Sequence, residues 1–267
     1  MTPRRPSGWR VERCTGTATA LLDAWPPVDN QGDPVVRLSR VRGRALVLGS
    51  TQDAALVDQR RARSVGVDTV RRSTGGGAVL VDADAQVWLD LWLPRGHELW
   101  DDDIVGAALW VGDTWVQALE SLGAGALDVH RGPLTGTLWS GLVCFAGLGP
   151  GEVTVAASSR DIGAGQTENR GPKVMGLAQR RTRAGARFHA TAPLSWDPLP
   201  LLDLLTVDVG ATVHAADDSV TDDGVVVGPL LADVAVGLRT VVPGWQEQGI
   251  DHDLVTVVEE AVRSALP

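Results

Sequence analysis

The stretch RRSTGGGAVLVDADAQVWLDLWLP, residues 71–94, places three consecutive glycines between two arginines and an apolar run. Glycines have no Cβ, so an anion can approach their main-chain N–H groups, and Arg71 and Arg72 add positive charge beside them. Residues 86–93 alternate in the manner of a strand, and neither a P-loop nor a dinucleotide fingerprint fits that order. The stretch predicts an anion-binding loop, with a glycine-rich hairpin carrying solvated arginines as the equal alternative.

Composition limits the possible function classes. The chain has 267 residues, 44% of them hydrophobic, and a mean hydropathy of +0.03, which is typical of a protein with a sizeable core. A net charge of −9 argues against a nucleic-acid partner. Two cysteines are too few for a disulfide framework, and neither a secretory signal nor a membrane-length apolar run is present. We expect a cytoplasmic protein without membrane attachment.

Short β-rich runs alternate with amphipathic segments along the chain. The patterns predict a hairpin of 35–40 with 44–49, helices over 51–64, 101–122, 197–205 and 254–266, and a mobile polar loop over 156–172. We interpret residues 1–267 as a single α+β domain with its core at about 35–205 and a C-terminal helical extension at about 206–267.

Four segments resemble one family. RRSTGGGAVLVD is similar to the RRxSGGGAVxxD signature of the lipoate–protein ligases, which share their fold with biotin–protein ligases and lipoyl or octanoyl transferases. GPKVMGLAQRR (171–181) resembles that family's GrKIxGxAQRR strand, FHATAPL (188–194) resembles its HGTLL segment, and ALVLGSTQD (45–53) resembles its vvlGrxQn segment. The four segments occur in the family's order, so the chain is identified as a divergent member.

The resemblance implies a fold and a reaction. The fold would be α+β, with a mixed or antiparallel central sheet flanked by helices, as in the biotin/lipoate ligase-like catalytic domain. The reaction would attach a lipoyl or octanoyl group to a lysine of a lipoyl-carrier domain or H protein-like acceptor through an acyl-adenylate. ATP and Mg²⁺ would then be required, lipoic or octanoic acid would be the substrate, and no tightly bound cofactor is expected. Ligases of this family usually append a small C-terminal domain that takes part in adenylation. The chain has room for little beyond the core, so a ligase assisted by a separate accessory chain is one alternative.

The same resemblance assigns roles to individual residues. Lys173 matches the family's lysine that meets the acyl carboxyl and the adenylate phosphate, and a strand lysine facing an apolar groove can neutralise a developing anion. It is the one lysine in an arginine-dominated chain. Gly176 and Ala178 would leave room for an aliphatic acyl chain, or are small for strand packing. The acyl-adenylate would also contact a further set of residues: Gln52, Arg71, Arg72, Gly75, Gly76, Gly77, Ala78 and His189.

Cys144 raises a rival chemistry. Its Cys-Phe pair resembles a segment of one octanoyltransferase branch, in which the cysteine takes the acyl group as a thioester from octanoyl-acyl carrier protein without ATP. The alternative for a cysteine among apolar neighbours is a buried, inert side chain. Departures from the family pattern include the missing histidine and asparagine of its His-Asp-x-Gly-Asn segment, of which only Asp82 is kept, and Ala190 in place of glycine. They keep open a degenerate module that binds without catalysis. The scattered histidines predict no metal site.

Overall fold

A computed structural model describes residues 8–24, 32–137, 139–156, 171–206, 231–242 and 254–267. The predicted mobile loop falls almost wholly outside these residues. None of the helices in the described part of the chain is both long and apolar enough to cross a bilayer.

Among the described residues, ten strands form two sheets. The strands are β1 (Arg10–Gly16), β2 (Val35–Val41), β3 (Arg44–Leu48), β4 (Val67–Arg71), β5 (Val79–Val81), β6 (Gln86–Pro94), β7 (Leu127–Val129), β8 (Val153–Val155), β9 (Lys173–Arg181) and β10 (Gly185–Pro193). The larger sheet has the order β1-β2-β6-β10-β9-β8-β7, in which only β1 and β2 are parallel neighbours. The predicted α+β class with a mixed, mainly antiparallel sheet is confirmed.

The smaller sheet has the order β4-β3-β5. The predicted hairpin of 35–40 with 44–49 is wrong, because β2 pairs with β1 and β6 whereas β3 pairs with β4 and β5. The physical reason lies in the faces of β3, since Leu46 and Leu48 pack in one apolar cluster and Ala45 and Val47 in another. Both faces of β3 are therefore buried between layers. A strand pattern in the sequence predicts extended backbone but not which partner strand it joins.

In the part of the chain that the structure describes, six helices cover the sheets: α1 (Ala18–Asp23), α2 (Gln59–Ser64), α3 (Ile104–Ser121), α4 (Leu199–Leu202), α5 (Leu238–Val241) and α6 (Leu254–Ala265). The helix predicted over 51–64 is wrong in its first half. Asp53 caps a short 3₁₀ turn at Ala54–Leu56, and Asp58 caps α2 by accepting a hydrogen bond from the Arg61 amide. The helix predicted over 197–205 is reduced to the single turn of α4, while α3 and α6 match their predicted positions.

The two faces of β6 are covered differently. Leu89 and Leu91 face a core that contains Trp115 of α3 and Val258 of α6. Alternate residues on the other face include Trp88, which packs with α1 and the smaller sheet. All nine residues of β6 are buried. This second face, between the two sheets, carries the candidate site.

Candidate functional site

The glycine segment packs against other main chain. A Cβ added at Gly77 would lie 2.5 Å from the carbonyl carbon of Val143, and one added at Gly49 would lie 1.9 Å from the carbonyl oxygen of Gly76. Gly76 has φ +94°, a conformation that side chains rarely adopt. Of the three consecutive glycines, only Gly75 has open space where its Cβ would be. Three passes of the chain therefore meet here, and ligand access to the segment is greatest at Gly75.

The two arginines hold this arrangement together. Arg72 is 7% exposed, and its Nη2 donates hydrogen bonds to the carbonyls of Gly75 (2.7 Å) and Gly77 (2.8 Å). Arg71 donates from Nη1 to the carbonyl of Gly49 at 2.9 Å. The alternative of solvated arginines is therefore wrong for Arg72. The positive charge of Arg72 stays beside the glycines, but its N–H groups donate to main-chain carbonyls. The sequence shows that the arginine is close to the glycines but not where its N–H groups point.

Gln52 and Ala78 join the glycine segment to the chain around residue 142. The Gln52 Oε1 accepts a hydrogen bond from the Gly49 amide at 2.9 Å, and its Nε2 donates to the Gly141 carbonyl at 2.9 Å. Ala78 exchanges main-chain hydrogen bonds with this segment, because its amide donates to the Leu142 carbonyl at 2.7 Å and its carbonyl accepts from the Cys144 amide at 3.0 Å. Both residues thereby position Cys144.

Lys173 is the only lysine in the sequence, and it begins β9. It is 2% exposed, and its Nζ donates to the carbonyls of Cys144 (2.9 Å) and Gly147 (2.6 Å) and to the Glu152 carboxylate (2.9 Å). The ammonium also lies 5.0 Å from the centre of the Phe145 ring, a favourable cation–π contact. The three donors of the ammonium are each matched to an acceptor.

Glu152 was not predicted from the sequence. Its side chain is 5% exposed, and besides pairing with Lys173 it accepts hydrogen bonds from the amides of Gly149 (2.7 Å) and Leu177 (3.0 Å). A single acidic residue just before a three-residue strand carries no motif in the sequence. Only the antiparallel pairing of β8 with β9 brings it to the lysine.

An apolar pocket opens between the two sheets. Its apolar wall includes Leu22, Val47, Val79, Val81, Trp88 and Leu177. Five of the residues implicated by the resemblance also line it: Arg72, Cys144, Gly176, Ala178 and His189. Gly176 and Ala178 lie on β9 opposite Thr191 and His189 of β10, so small residues border the pocket where two strands meet. Cys144 belongs to this wall and is half-buried, so it does not lie in a sealed core.

His189 is oriented by a buried acid on the neighbouring strand. Asp90 of β6 is completely buried and lies opposite His189 in the register, with its carboxylate in contact with the Nδ1 atom of His189. Burial lowers the pKa of His189 below its usual value, more than the charge of Asp90 raises it. Burial by itself would raise the pKa of Asp90, but His189 and the Arg187 guanidinium outweigh that effect and lower it. We therefore assign a neutral imidazole beside a carboxylate.

Charged residues continue this pair across the sheet. Arg37 of β2 lies opposite Asp90 in the register and donates two hydrogen bonds to the Glu12 carboxylate of β1, at 3.0 and 2.7 Å. Burial lowers the pKa of Arg187, on β10, to about 10. Asp90 is the one charged residue of β6 and is flanked on both sides by apolar residues, which was the signal in the sequence that could have identified it.

A second pocket adjoins the first, and Val79 and Thr191 line both. Its wall is more polar, with Arg44, Asp82, Gln86, Ser195 and Asp197 among its residues, and Ala78 borders it as well. The rings of Phe145 and Trp196, which also line it, lie 5.2 Å apart. The arrangement can hold a ligand with an apolar part and a polar part. Within the described ranges, no group of three or more metal-ligating side chains is positioned to hold a metal ion.

Comparison with known proteins places this geometry in context. A family model described as the lipoyl protein ligase A/B catalytic domain matches residues 23–226. Among curated proteins, none matches the chain in sequence. A lipoate-protein ligase A solved with bound ATP superimposes with a TM-score of 0.61 at 18% identity, over 97% of this chain and 83% of the other.

Two archaeal structures are similar as well. A putative lipoate protein ligase of T. acidophilum, solved with lipoic acid, has a TM-score of 0.58 at 16% identity, covering 97% of this chain and 84% of that one. A bipartite lipoate protein ligase of Thermoplasma acidophilum, studied with its E2 lipoyl domain, has a TM-score of 0.61 at 19% identity, covering 97% and 82%. At these identities the likeness shows the fold.

Proposed function

The chain belongs to the lipoyl protein ligase A/B catalytic-domain family, and from this premise we propose that it attaches a lipoyl or octanoyl group to a lysine of a carrier domain through an acyl-adenylate. The observation that carries the proposal is the pair of adjoining pockets. An acyl-adenylate has an apolar chain and a polar nucleotide joined at one carbonyl, and the apolar and polar pockets meet at Val79 and Thr191.

Residues that contact the walls of the pockets suit this ligand. Gly75 leaves its main chain open, and Arg72 places a positive charge beside it. Lys173 would exchange one of its two carbonyl acceptors for an oxygen of the acyl-adenylate, where its charge stabilises the negative charge that develops during transfer. Mg²⁺ would enter with ATP, bound to its phosphates.

Structural neighbours support the choice of substrates. One neighbour was solved with lipoic acid, one with ATP, and one was studied with an E2 lipoyl domain. By analogy, the acyl acid, the nucleotide and a lipoyl-domain or H protein-like acceptor are proposed for this chain, acting without a tightly bound cofactor. An accessory chain is an additional proposed partner for the adenylation step.

The direct test is acylation of an apo lipoyl domain. The protein is mixed with octanoate or lipoate, ATP and Mg²⁺, and the acceptor's mass is measured. The expected result is an acceptor mass increase that requires ATP. A protein that binds octanoate but acylates nothing with either acid or with octanoyl-acyl carrier protein would contradict the proposal and favour a non-catalytic module.

A second candidate function rests on the position of Cys144. Cys144 lines the apolar pocket, and its carbonyl accepts the hydrogen bond from Lys173, so an acyl thioester formed there would lie beside the ammonium. This arrangement favours an octanoyltransferase that takes its acyl group from octanoyl-acyl carrier protein and uses no nucleotide.

Cys144→Ser separates the two candidates. If the acyl-adenylate route operates, the substitution changes activity little, because the thiol only fills space in the pocket wall. If the thioester route operates, turnover stops and a hydroxylamine-labile octanoyl adduct of the wild-type protein is absent from the variant, since serine without a strong base is a poor nucleophile. Intact-mass spectrometry distinguishes these outcomes.

A further inference from the structure

The charge of Lys173 is maintained in an environment that opposes it. The side chain is 2% exposed, and burial disfavours an ammonium relative to the neutral amine. Of the three acceptors that meet Nζ, the carbonyls of Cys144 and Gly147 are neutral and only the Glu152 carboxylate carries a full negative charge. That carboxylate is fixed in place by the amides of Gly149 and Leu177.

The proposed reaction gives this charge a chemical consequence. A neutral Nζ would attack the activated acyl carbon with its lone pair. The new N–C bond would form as the bond from that carbon to the adenylate oxygen, or to the thioester sulfur, broke with its electron pair. Nζ would then lose one proton to solvent. The product would be an amide on Lys173 and an inactive protein, whereas an ammonium has no lone pair for the attack.

We infer that Glu152 keeps Lys173 in its ammonium form, so that the lysine contacts the activated acyl group without being acylated by it. Glu152 is a positioning residue, because it acts through Lys173 and not on the acyl group. The inference rests on the proposed function for its acyl chemistry, but the charge role of Glu152 can be measured without any acyl donor.

The composition of the chain makes the measurement unusually direct. Because Lys173 is the only lysine, labelling with lysine enriched in ¹³C at the ε-carbon yields one resonance, whose position reports whether Nζ is protonated. In the wild-type protein at about pH 7.5 we expect the ammonium signal. In Glu152→Gln, which removes the charge at nearly constant volume, we expect the neutral-amine signal. Glu152→Asp should restore the ammonium.

Self-acylation is the second readout. Incubated with octanoate, ATP and Mg²⁺, or with octanoyl-acyl carrier protein, Glu152→Gln should accumulate an octanoyl amide on Lys173 at least about tenfold faster than the wild-type protein. Peptide mass spectrometry locates the adduct, and its resistance to hydroxylamine separates it from a thioester on Cys144. The comparison is repeated in Cys144→Ser. This variant lacks the thiol of the residue whose main-chain carbonyl accepts a hydrogen bond from Nζ, so the thiol cannot be the acylated group.

Glu259→Gln is the matched control. Glu259 is another buried acid, paired with Arg40 at 3.1 Å on the opposite side of the larger sheet, so its variant tests the general effect of neutralising a buried carboxylate. It should leave the lysine signal and the adduct level as in the wild-type protein.

The outcomes separate the inference from the function on which it rests. An ammonium signal that persists in Glu152→Gln would overturn the inference, whatever the acyl chemistry shows. A neutral amine in a protein that forms no activated acyl group would contradict the proposed function and leave the charge role of Glu152 in place. If Glu152→Gln does not fold, the wild-type protein is followed as the pH rises, where the ammonium signal and the resistance to self-acylation should disappear together. An adduct that forms while the ammonium persists would overturn the inference.

Discussion

At the scale of single residues, buried polar pairs distinguish this site from an ordinary apolar pocket. Lys173 with Glu152 joins β9 to the residue before β8, whereas His189 with Asp90 joins β10 to β6, and all four residues are buried. Removing one member of the charged Lys173–Glu152 pair leaves the other as an uncompensated buried charge, which destabilises a protein more than removing both. Stability and activity should therefore respond differently to single and double substitutions.

Lys173→Ala should abolish acyl transfer and lower the free energy of unfolding by about 3 kcal/mol, because Glu152 is left buried without its partner. The double variant Lys173→Met with Glu152→Gln should regain most of that stability but no activity. Urea denaturation and single-turnover acylation provide the two measurements. Activity of Lys173→Ala within about threefold of the wild-type protein, a change below about 1 kcal/mol in the barrier, would rule out the assignment of Lys173.

The lowered pKa of His189 predicts a pH dependence of stability. As the pH falls through 6.5, the unfolded chain binds a proton at this histidine that the folded protein does not yet bind, so stability decreases on acidification. The lowered pKa of Asp90 acts in the same direction below pH 3.8, where the unfolded chain is protonated first. The contribution of each group to stability is fully present at a pH above the pKa of that group in the unfolded chain.

His189→Gln should therefore reduce the loss of melting temperature between about pH 7 and pH 5. His130→Gln is a suitable control, because His130 lies outside the pocket with its Nε2 atom 2.7 Å from the Pro133 carbonyl oxygen. Equal slopes in His189→Gln and the wild-type protein would show that His189 is not titrating with a lowered pKa.

At the scale of elements, the glycine segment is a crossing point whose three glycines are unequal. A side chain at Gly77 would collide with the main chain of Val143 and Cys144, at 2.5 and 2.7 Å, and main chain cannot rotate away as a flexible side chain can. A side chain at Gly75 would meet nothing within 4 Å. The motif thus combines a packing requirement with a ligand-facing position.

Gly77→Ala should lower the free energy of unfolding by about 1–3 kcal/mol, whereas Gly75→Ala should leave it within about 0.5 kcal/mol of the wild-type value. Gly75→Ala should nevertheless weaken binding of the acyl-adenylate, because it narrows the approach to the open main chain. Denaturant unfolding compares the two variants under the same conditions. A Gly77→Ala protein as stable as Gly75→Ala would contradict the packing described here.

At the scale of the whole molecule, the larger sheet and the smaller sheet differ in how they are supported. The centre of the larger sheet, β6 with β10, is hydrogen-bonded on both sides and covered by α3 and α6, with residues such as Leu89 and Phe188 fully buried. The smaller sheet has three strands of three to five residues. The apolar pocket therefore lies between the larger sheet, whose centre is covered by helices, and the smaller sheet, whose strands are short.

Native-state hydrogen exchange should therefore show the slowest amides in β6 and β10 and faster exchange in β4 and β5. Binding of octanoate with ATP should slow exchange in the smaller sheet more than in the larger one, because the ligand lies between them. Exchange in β5 that is as slow as in β6 without ligand would argue against independent opening of the smaller sheet.

Local pattern was sufficient for much of this protein. The alternation of residues 86–93 predicted β6, the three aspartates at 101–103 predicted the start of α3, and the apolar stripe of 254–266 predicted α6. These features depend on neighbours within a few positions, and periodicity and capping act at that range. The four motif blocks likewise sufficed to predict the family and its α+β fold.

Sequence patterns were therefore enough to predict the fold class, the positions of the longest elements and the residues that make up the motifs. The tertiary structure alone decided that β2 and β3 belong to different sheets, that Arg72 is directed at the glycine carbonyls, and that Glu152 and Asp90 are the partners of Lys173 and His189. Asp90 and His189 are about a hundred positions apart in the chain, and strand pairing selects their contact. The alternation of apolar and polar residues along a strand does not specify that pairing, because any partner that covers the apolar face is compatible with it.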